Sequence, residues 1–285
     1  MIPVAVCALK EAVRKRTFLI LGLVMLAYLI FWAVMLYYFN RSGIAGRSAP
    51  QFKSLAAVML TQMCLQFSSM LVSLLTIMIS AGSVASEIES GMIHAILSRP
   101  LGRVEYLAGK FLGMFMLLFL YSTLFFAAIL MIGGAYSLET VTALTAARII
   151  KGWALYLLVP AAVLCLTMYG SVSLRAVPNG LLMIFIYILG NIGGMVEMIG
   201  NFINSRSVIS SGIFISLISP FHTLYGAAER VLFPMSGLAG ELMRGAGGLT
   251  GGGRPASAAM YIYIAVYSAA FLTLAALKLR KMDIN

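Results

Sequence analysis

The sequence predicts an all-α, polytopic membrane protein with six transmembrane helices, an amino-terminal interfacial helix and a short cytoplasmic helix between spans 2 and 3. Three observations carry this reading. Of 285 residues, 61% are hydrophobic and only 10% charged, against about 25% charged in an ordinary soluble domain. Mean hydropathy is +0.99. The apolar residues gather into six runs, at 17–39, 55–84, 106–133, 150–173, 179–199 and 258–277, each of a length that can cross the ~30 Å hydrocarbon layer. The whole chain, 1–285, reads as a single transmembrane domain.

The same composition excludes other classes. A net charge of +11 would point to nucleic acid in a soluble chain. Here it belongs to basic residues flanking spans beside anionic headgroups, and no nucleic acid is expected as a partner. Cys7, Cys64 and Cys165 are odd in number and lie at or within apolar segments, with neither a disulfide framework nor zinc spacing. His94 and His222 fall outside the apolar runs, so haem held between spans is not expected, and no metal site is.

Taken in order, the chain opens with Lys10, Arg14, Lys15 and Arg16 before the first run. That run is longer than a signal-peptide core and no small-residue cleavage site follows it closely, so it reads as an uncleaved first span. Val4, Ala8, Glu11 and Lys15 mix apolar and charged faces, as an interfacial helix does. Span 2 carries a polar seam of Gln62, Gln66, Ser69, Ser73, Thr76, Ser80 and Ser83. Steps of four and three place the seam on one helical face. Such a seam serves either interhelical packing or a polar path for substrate.

Ser86 to Lys110 is a polar island between two apolar runs. A charge at mid-membrane costs roughly 2.5–3.5 kcal/mol on insertion scales, so this stretch lies outside the hydrocarbon. Ser86 and Glu89 have capping-box spacing, and Ile88, Met92 and Ile96 fall on one stripe. A short amphipathic helix over 86–98 follows, ended before Pro100.

Beyond the island, Gly109 and Gly113 are spaced for close helix contact in span 3, and Pro160 lies inside span 4. Span 5 holds Gly190 and Gly194 around Asn191, with Glu197 near its far end. An acid near membrane depth is a candidate for the transport path. The stretch 201–257 reads as a long outer loop. Within it Ile213–Ile218 is too short to cross, the segment from Ile218 through Pro234 forms an interfacial helix, and Gly245–Gly253 forms a flexible linker.

The pattern acid–x–acid–x–Gly at Glu87, Glu89 and Gly91, followed by Leu97-Ser98, Pro100, Arg103 and Gly109-Lys110, resembles the first cytoplasmic loop of type-2 ATP-binding cassette (ABC) permeases. Met92 stands where that family often has threonine. The ALKEAVRKRTF string and the LRKMDI ending are similar to the same family, and so is the partly apolar region before the last span, where the resemblance implies short helices that dip into the membrane. The resemblance implies that 86–98 is the coupling helix, docked into a separate ATPase subunit through Glu87, Glu89, Gly91, His94, Leu97, Ser98, Pro100 and Arg103. It also implies ATP and magnesium on that partner rather than on this chain, and a homodimer or heterodimer of permease subunits. An export direction and a bacterial-type plasma (inner) membrane with both termini cytoplasmic complete the expectation. Gln62, Gln66, Ser69, Ser73, Thr76, Asn191 and Glu197 are the candidate pathway residues.

The charge distribution agrees with that orientation, since the cytoplasmic segments would hold just over half of the 20 Lys and Arg in a shorter length. Arg41, Arg47 and Lys53 run against the bias. No nucleotide cradle is present, because Gly109-Lys110 is followed by Phe111 and Gly102 lies too far before it. An ion-coupled secondary transporter or channel would show charges at mid-span and an internal repeat, and neither is evident. A membrane anchor or assembly subunit of a larger complex, or a protein that transmits motion to an outer partner, fits the composition equally.

Overall fold

A computed structural model describes residues 2–14, 16–41, 50–92, 102–136, 144–203, 205–233 and 258–281. Ten helices are named in chain order: α1 (Ile2–Arg14), α2 (Arg16–Arg41), α3 (Pro50–Ser80), α4 (Ala85–Glu89), α5 (Arg103–Ala135), α6 (Ala146–Ser173), α7 (Ala176–Ile203), α8 (Arg206–Ile218), α9 (Phe221–Leu232) and α10 (Ala258–Lys281). The described residues contain no strand. Six helices are long and apolar enough to cross a membrane, and they match the six runs to within a few residues at most ends. A helix can do this without exposing unpaired peptide groups to lipid, because all its backbone hydrogen bonds are made within the segment.

The bundle is built around the second span. Within its most apolar stretch 67% of residues are buried, against 17% in the first span and 11% in the last. Ser68, Ser73, Thr76 and Ser80 on α3 are fully buried. Small polar side chains allow close approach, and the hydroxyls of Ser68, Thr76 and Ser80 are hydrogen-bonded. Thr76 donates to Val72 O at 2.8 Å, and Ser80 to Thr76 O at 2.6 Å. Ser68 pairs with the Tyr156 hydroxyl of α6 at 3.0 Å. Between helices in lipid, packing and such hydrogen bonds replace the hydrophobic driving force available in water.

Five contacts show why glycines lie where they do. Gly113 on α5 faces the backbone of α1 at Ala5, with no room for a Cβ, so α1 lies against the third span. Its buried face is Ala8 and Ala12. On α7, Gly200 faces Ile209, Gly193 faces Ile215, Gly190 faces Ser219 and Gly194 faces the His222 ring.

That register corrects the reading of 201–257 as a loop with an interfacial helix. α8 runs back along α7 from its end to its middle, and the chain turns by 101° before α9. Helix α9 then returns through the bundle. Tyr225 donates to Gln62 O near the start of α3 at 3.0 Å, and Leu232 packs on Gly152 near the start of α6. Entry and exit lie on one face, so the pair is a re-entrant hairpin. Its helices hold 13 and 12 residues, about 20 Å each at most, too short to span singly. Phe221, Leu224, Tyr225 and Glu229 are buried in the bundle, not spread at an interface. The linker Gly245–Gly253 lies outside the described residues.

Replacing Gly113 by leucine is expected to cost about 1–3 kcal/mol through overpacking against α1. Thermal unfolding of the solubilised chain should show a lower midpoint; an unchanged midpoint would mean that α1 does not sit on α5.

Candidate functional site

The site lies where α3 ends, α5 and α7 begin and α6 and α10 end. The chain leaves α3 through Ala81–Val84 and enters α4, a helix of 5 residues. The Ser86–Glu89 capping box expected from the sequence does not form. The N-cap position is Val84, with no side-chain cap from its own turn. Ser86 Oγ instead donates to Gly82 O at 2.5 Å. The free N–H groups of Val84 and Ala85 donate to Ser171 Oγ at 2.9 and 3.1 Å. A residue of α6 therefore performs the capping. Regular helix stops at Glu89, and Gly91 adopts φ +71°, a left-handed turn natural to glycine.

Glu87 and Glu89 both reach back onto the protein. Glu87 Oε1 lies 2.5 Å from Lys110 Nζ. Lys110 is 3% exposed, and its ammonium also donates to Ser83 O and, at 3.2 Å, to the Tyr106 hydroxyl. All three N–H donors of a lysine are thereby used. The Tyr106 ring centroid lies 5.5 Å from Nζ, adding a cation–π contact. Glu89 Oε1 accepts the Ala176 N–H at 3.1 Å, placing negative charge at the positive end of α7.

Two further residues complete the frame. Asn179, fully buried, donates from Nδ2 to Ala81 O at 2.9 Å and Thr167 O at 3.2 Å, over the surface of Gly170. Arg103 Nη1 donates to Leu279 O at 3.3 Å and Arg280 O at 3.0 Å, taking up carbonyls at the end of α10. Helix α4 is thus joined to spans 2, 3, 4 and 5. Ser86, Glu89, Ser90, Gly91 and Met92 are exposed beyond it. His94, Leu97, Ser98 and Pro100 lie outside the described residues.

Lys110, Ser171 and Asn179 were not among the residues expected at the site. Lys110 carried a signal, since a lysine inside an apolar run needs an acid partner nearby. Ser171 and Asn179 carried none, as their partners lie far away in sequence.

The candidate pathway residues are placed differently. Gln62, Ser69, Ser73 and Thr76 are buried and Gln66 half-buried, so within one chain the seam is turned into the bundle. The outward face of α3 presents Met59, Met63, Phe67, Met70 and Met78. Asn191 bonds its own helix through Tyr187 O at 2.9 Å. Glu197 lies on α7 where α8 crosses at Gly212, in electrostatic contact with Arg230, which also faces Glu229. Asn191 and the seam's Ser73 both lie within hydrogen-bonding reach of the Tyr187 side chain, whereas Glu197 faces Arg230. Among the described residues no cluster of His, Cys, Asp and Glu could hold a metal ion.

A bundle with six helices long and apolar enough to cross a membrane, and a polar, multiply tethered element at one end, defines a multi-pass membrane protein. The family model described as ABC-2 family transporter protein matches residues 3–284, and the chain belongs to that family. It is a membrane transport subunit of the ABC class. No curated protein matches the chain.

Ser171→Ala is expected to loosen α4 by about 0.5–2 kcal/mol, the usual cost of losing a cap. Hydrogen exchange at the Val84 and Ala85 amides should accelerate about 2- to 30-fold, since 1.4 kcal/mol is tenfold. Exchange at wild-type rates would show that Ser171 is not the cap.

Proposed function

We propose that this chain is the permease subunit of an ABC exporter, driven by a separate ATPase that docks on the 86–98 segment. The observation that carries the reading is α4. It stands at the end of the most buried span, held by hydrogen bonds or an ion pair from three others, with Ser90, Gly91 and Met92 turned outward. An element gripped there moves several spans at once. ATP and magnesium belong to the partner, and hydrolysis takes place there. Two permease subunits, identical or related, pair with two ATPase subunits. The chain lies in a bacterial-type plasma membrane with both termini cytoplasmic, the orientation that places the α4 face and the larger share of Lys and Arg inside.

The structure redirects the choice of docking residues. Glu87 and Glu89 are engaged within the chain, so a charge reversal there would disturb the fold as well as docking. Met92, 56% exposed, is the cleaner probe. A partner groove that accepts an apolar side chain rejects a charge left buried and unpaired. Met92→Arg should reduce affinity capture of the co-expressed ATPase by at least tenfold, with the permease itself recovered at wild-type yield. Undiminished capture would remove 86–98 from the docking surface.

A further inference from the structure

We infer that Lys110 is a positioning residue: through Glu87 it locks α4 to α5 and to the amino-terminal helix α1, so that α1 moves when α4 is driven. The inference rests on the docking reading and adds where the motion goes.

Two attachments of α4 differ in strength. The Glu87–Lys110 bond is charge-assisted, buried and reinforced by Ser83 O and the Tyr106 hydroxyl. Separating it would strand a buried ammonium, a severe penalty once the partner is gone. The Glu89–Ala176 bond is a single contact at an exposed carboxylate, where water substitutes readily. When α4 is displaced, the weaker attachment yields first. Helix α4 therefore keeps its place on α5 and shears against α7.

Helix α1 belongs to the part that is carried along. Ala8, Glu11 and Ala12 of α1 line, with Ile79, Ser83, Lys110 and Met114, a cavity of about 10 Å³, room for one water molecule. Less than one turn along α5, Gly113 lets the α1 backbone at Ala5 make direct contact. Interlocked backbones do not slide freely. The second carboxylate oxygen of Glu87 is buried without a hydrogen-bond partner. Lys110 is thus the only polar link given to this carboxylate among the described residues, and no other bond would hold Glu87 if the lysine were lost.

The chain supplies its own reporter. Cys7 on α1 is exposed, whereas Cys64 and Cys165 are buried, so an environment-sensitive maleimide dye reaches Cys7 selectively. The experiment uses the permease–ATPase complex in nanodiscs and reads Cys7 fluorescence before and after ATP with orthovanadate. In the wild type the signal shifts. In Lys110→Met the shift should fall at least threefold while captured ATPase stays within twofold of wild type. Lys110→Arg keeps the positive charge and the N–H donors and should retain at least half of the shift, which a generally loosened fold would not do. Lys110→Gln removes the charge with less loss of shape and should behave as Lys110→Met does, so the test stands even if Lys110→Met does not accumulate. The inference is overturned if the wild-type signal does not shift, if Lys110→Met and Lys110→Gln keep the full shift, if they lose the ATPase, or if Lys110→Arg behaves as they do. Failure of the docking reading is distinct, because Met92→Arg would then still capture the ATPase.

Discussion

An ammonium taken out of water must find its full complement of acceptors before a fold can tolerate it. At Lys110 the acceptors come from three places: a backbone carbonyl where α3 ends, a carboxylate on α4 and a phenol on α5 itself. Satisfying one side chain thus fixes how three consecutive elements meet. The remaining bonds on that face follow from this placement. With α4 seated, its first amides point at Ser171, its second acid reaches the start of α7, and the carbonyl of Ala81 is left for Asn179.

The opposite face solves a different problem. A helix that stops within the hydrocarbon leaves carbonyls that lipid cannot satisfy. Helix α8 stops at Ile218, and two tyrosines of the last span meet its final carbonyls, Tyr263 at Leu217 O, 2.7 Å, and Tyr267 at Ile218 O, 3.1 Å. The two tyrosine rings also tilt against one another, and Tyr267 meets Phe221 and Phe271 edge to face. They therefore serve as polar partners and as apolar packing together. Glycines on α7 provide the matching depth on the other side. The hairpin is held by what it touches, not by its own length.

How much of this could be read beforehand follows the range of the interactions involved. The six spans were legible because length, apolarity and flanking charge are local properties. Family membership was legible from the spacing of Glu87, Glu89 and Gly91 and the pattern that follows them. The direction in which the two acids point was not, because Lys110 and Ala176 come later in the chain and only packing brings them near. The capping box failed for the same reason, since Ser171 reaches the α4 amides first. The family resemblance implied short helices dipping into the membrane before the last span, but the residues themselves hid the hairpin, because Ser219-Pro220 divides its apolar residues into pieces below span length. Each piece alone resembles a loop or surface helix; burial of Phe221 and Tyr225 against four other helices is a tertiary fact. The polar seam of α3 was located correctly on one face, but a periodic pattern cannot tell whether that face meets a neighbouring helix or a channel.

The hairpin also orders the assembly of the molecule. Helices α8 and α9 are each too short to partition across a bilayer independently, and their paired break would expose peptide groups if they entered alone. They can settle only into a recess whose walls, α3, α6 and α7, have been threaded through the membrane beforehand. The tyrosines that close the recess sit on α10, synthesised after the hairpin and its walls. Assembly is therefore that of a lock whose keeper comes later in the chain: this recess is completed only when α10 arrives.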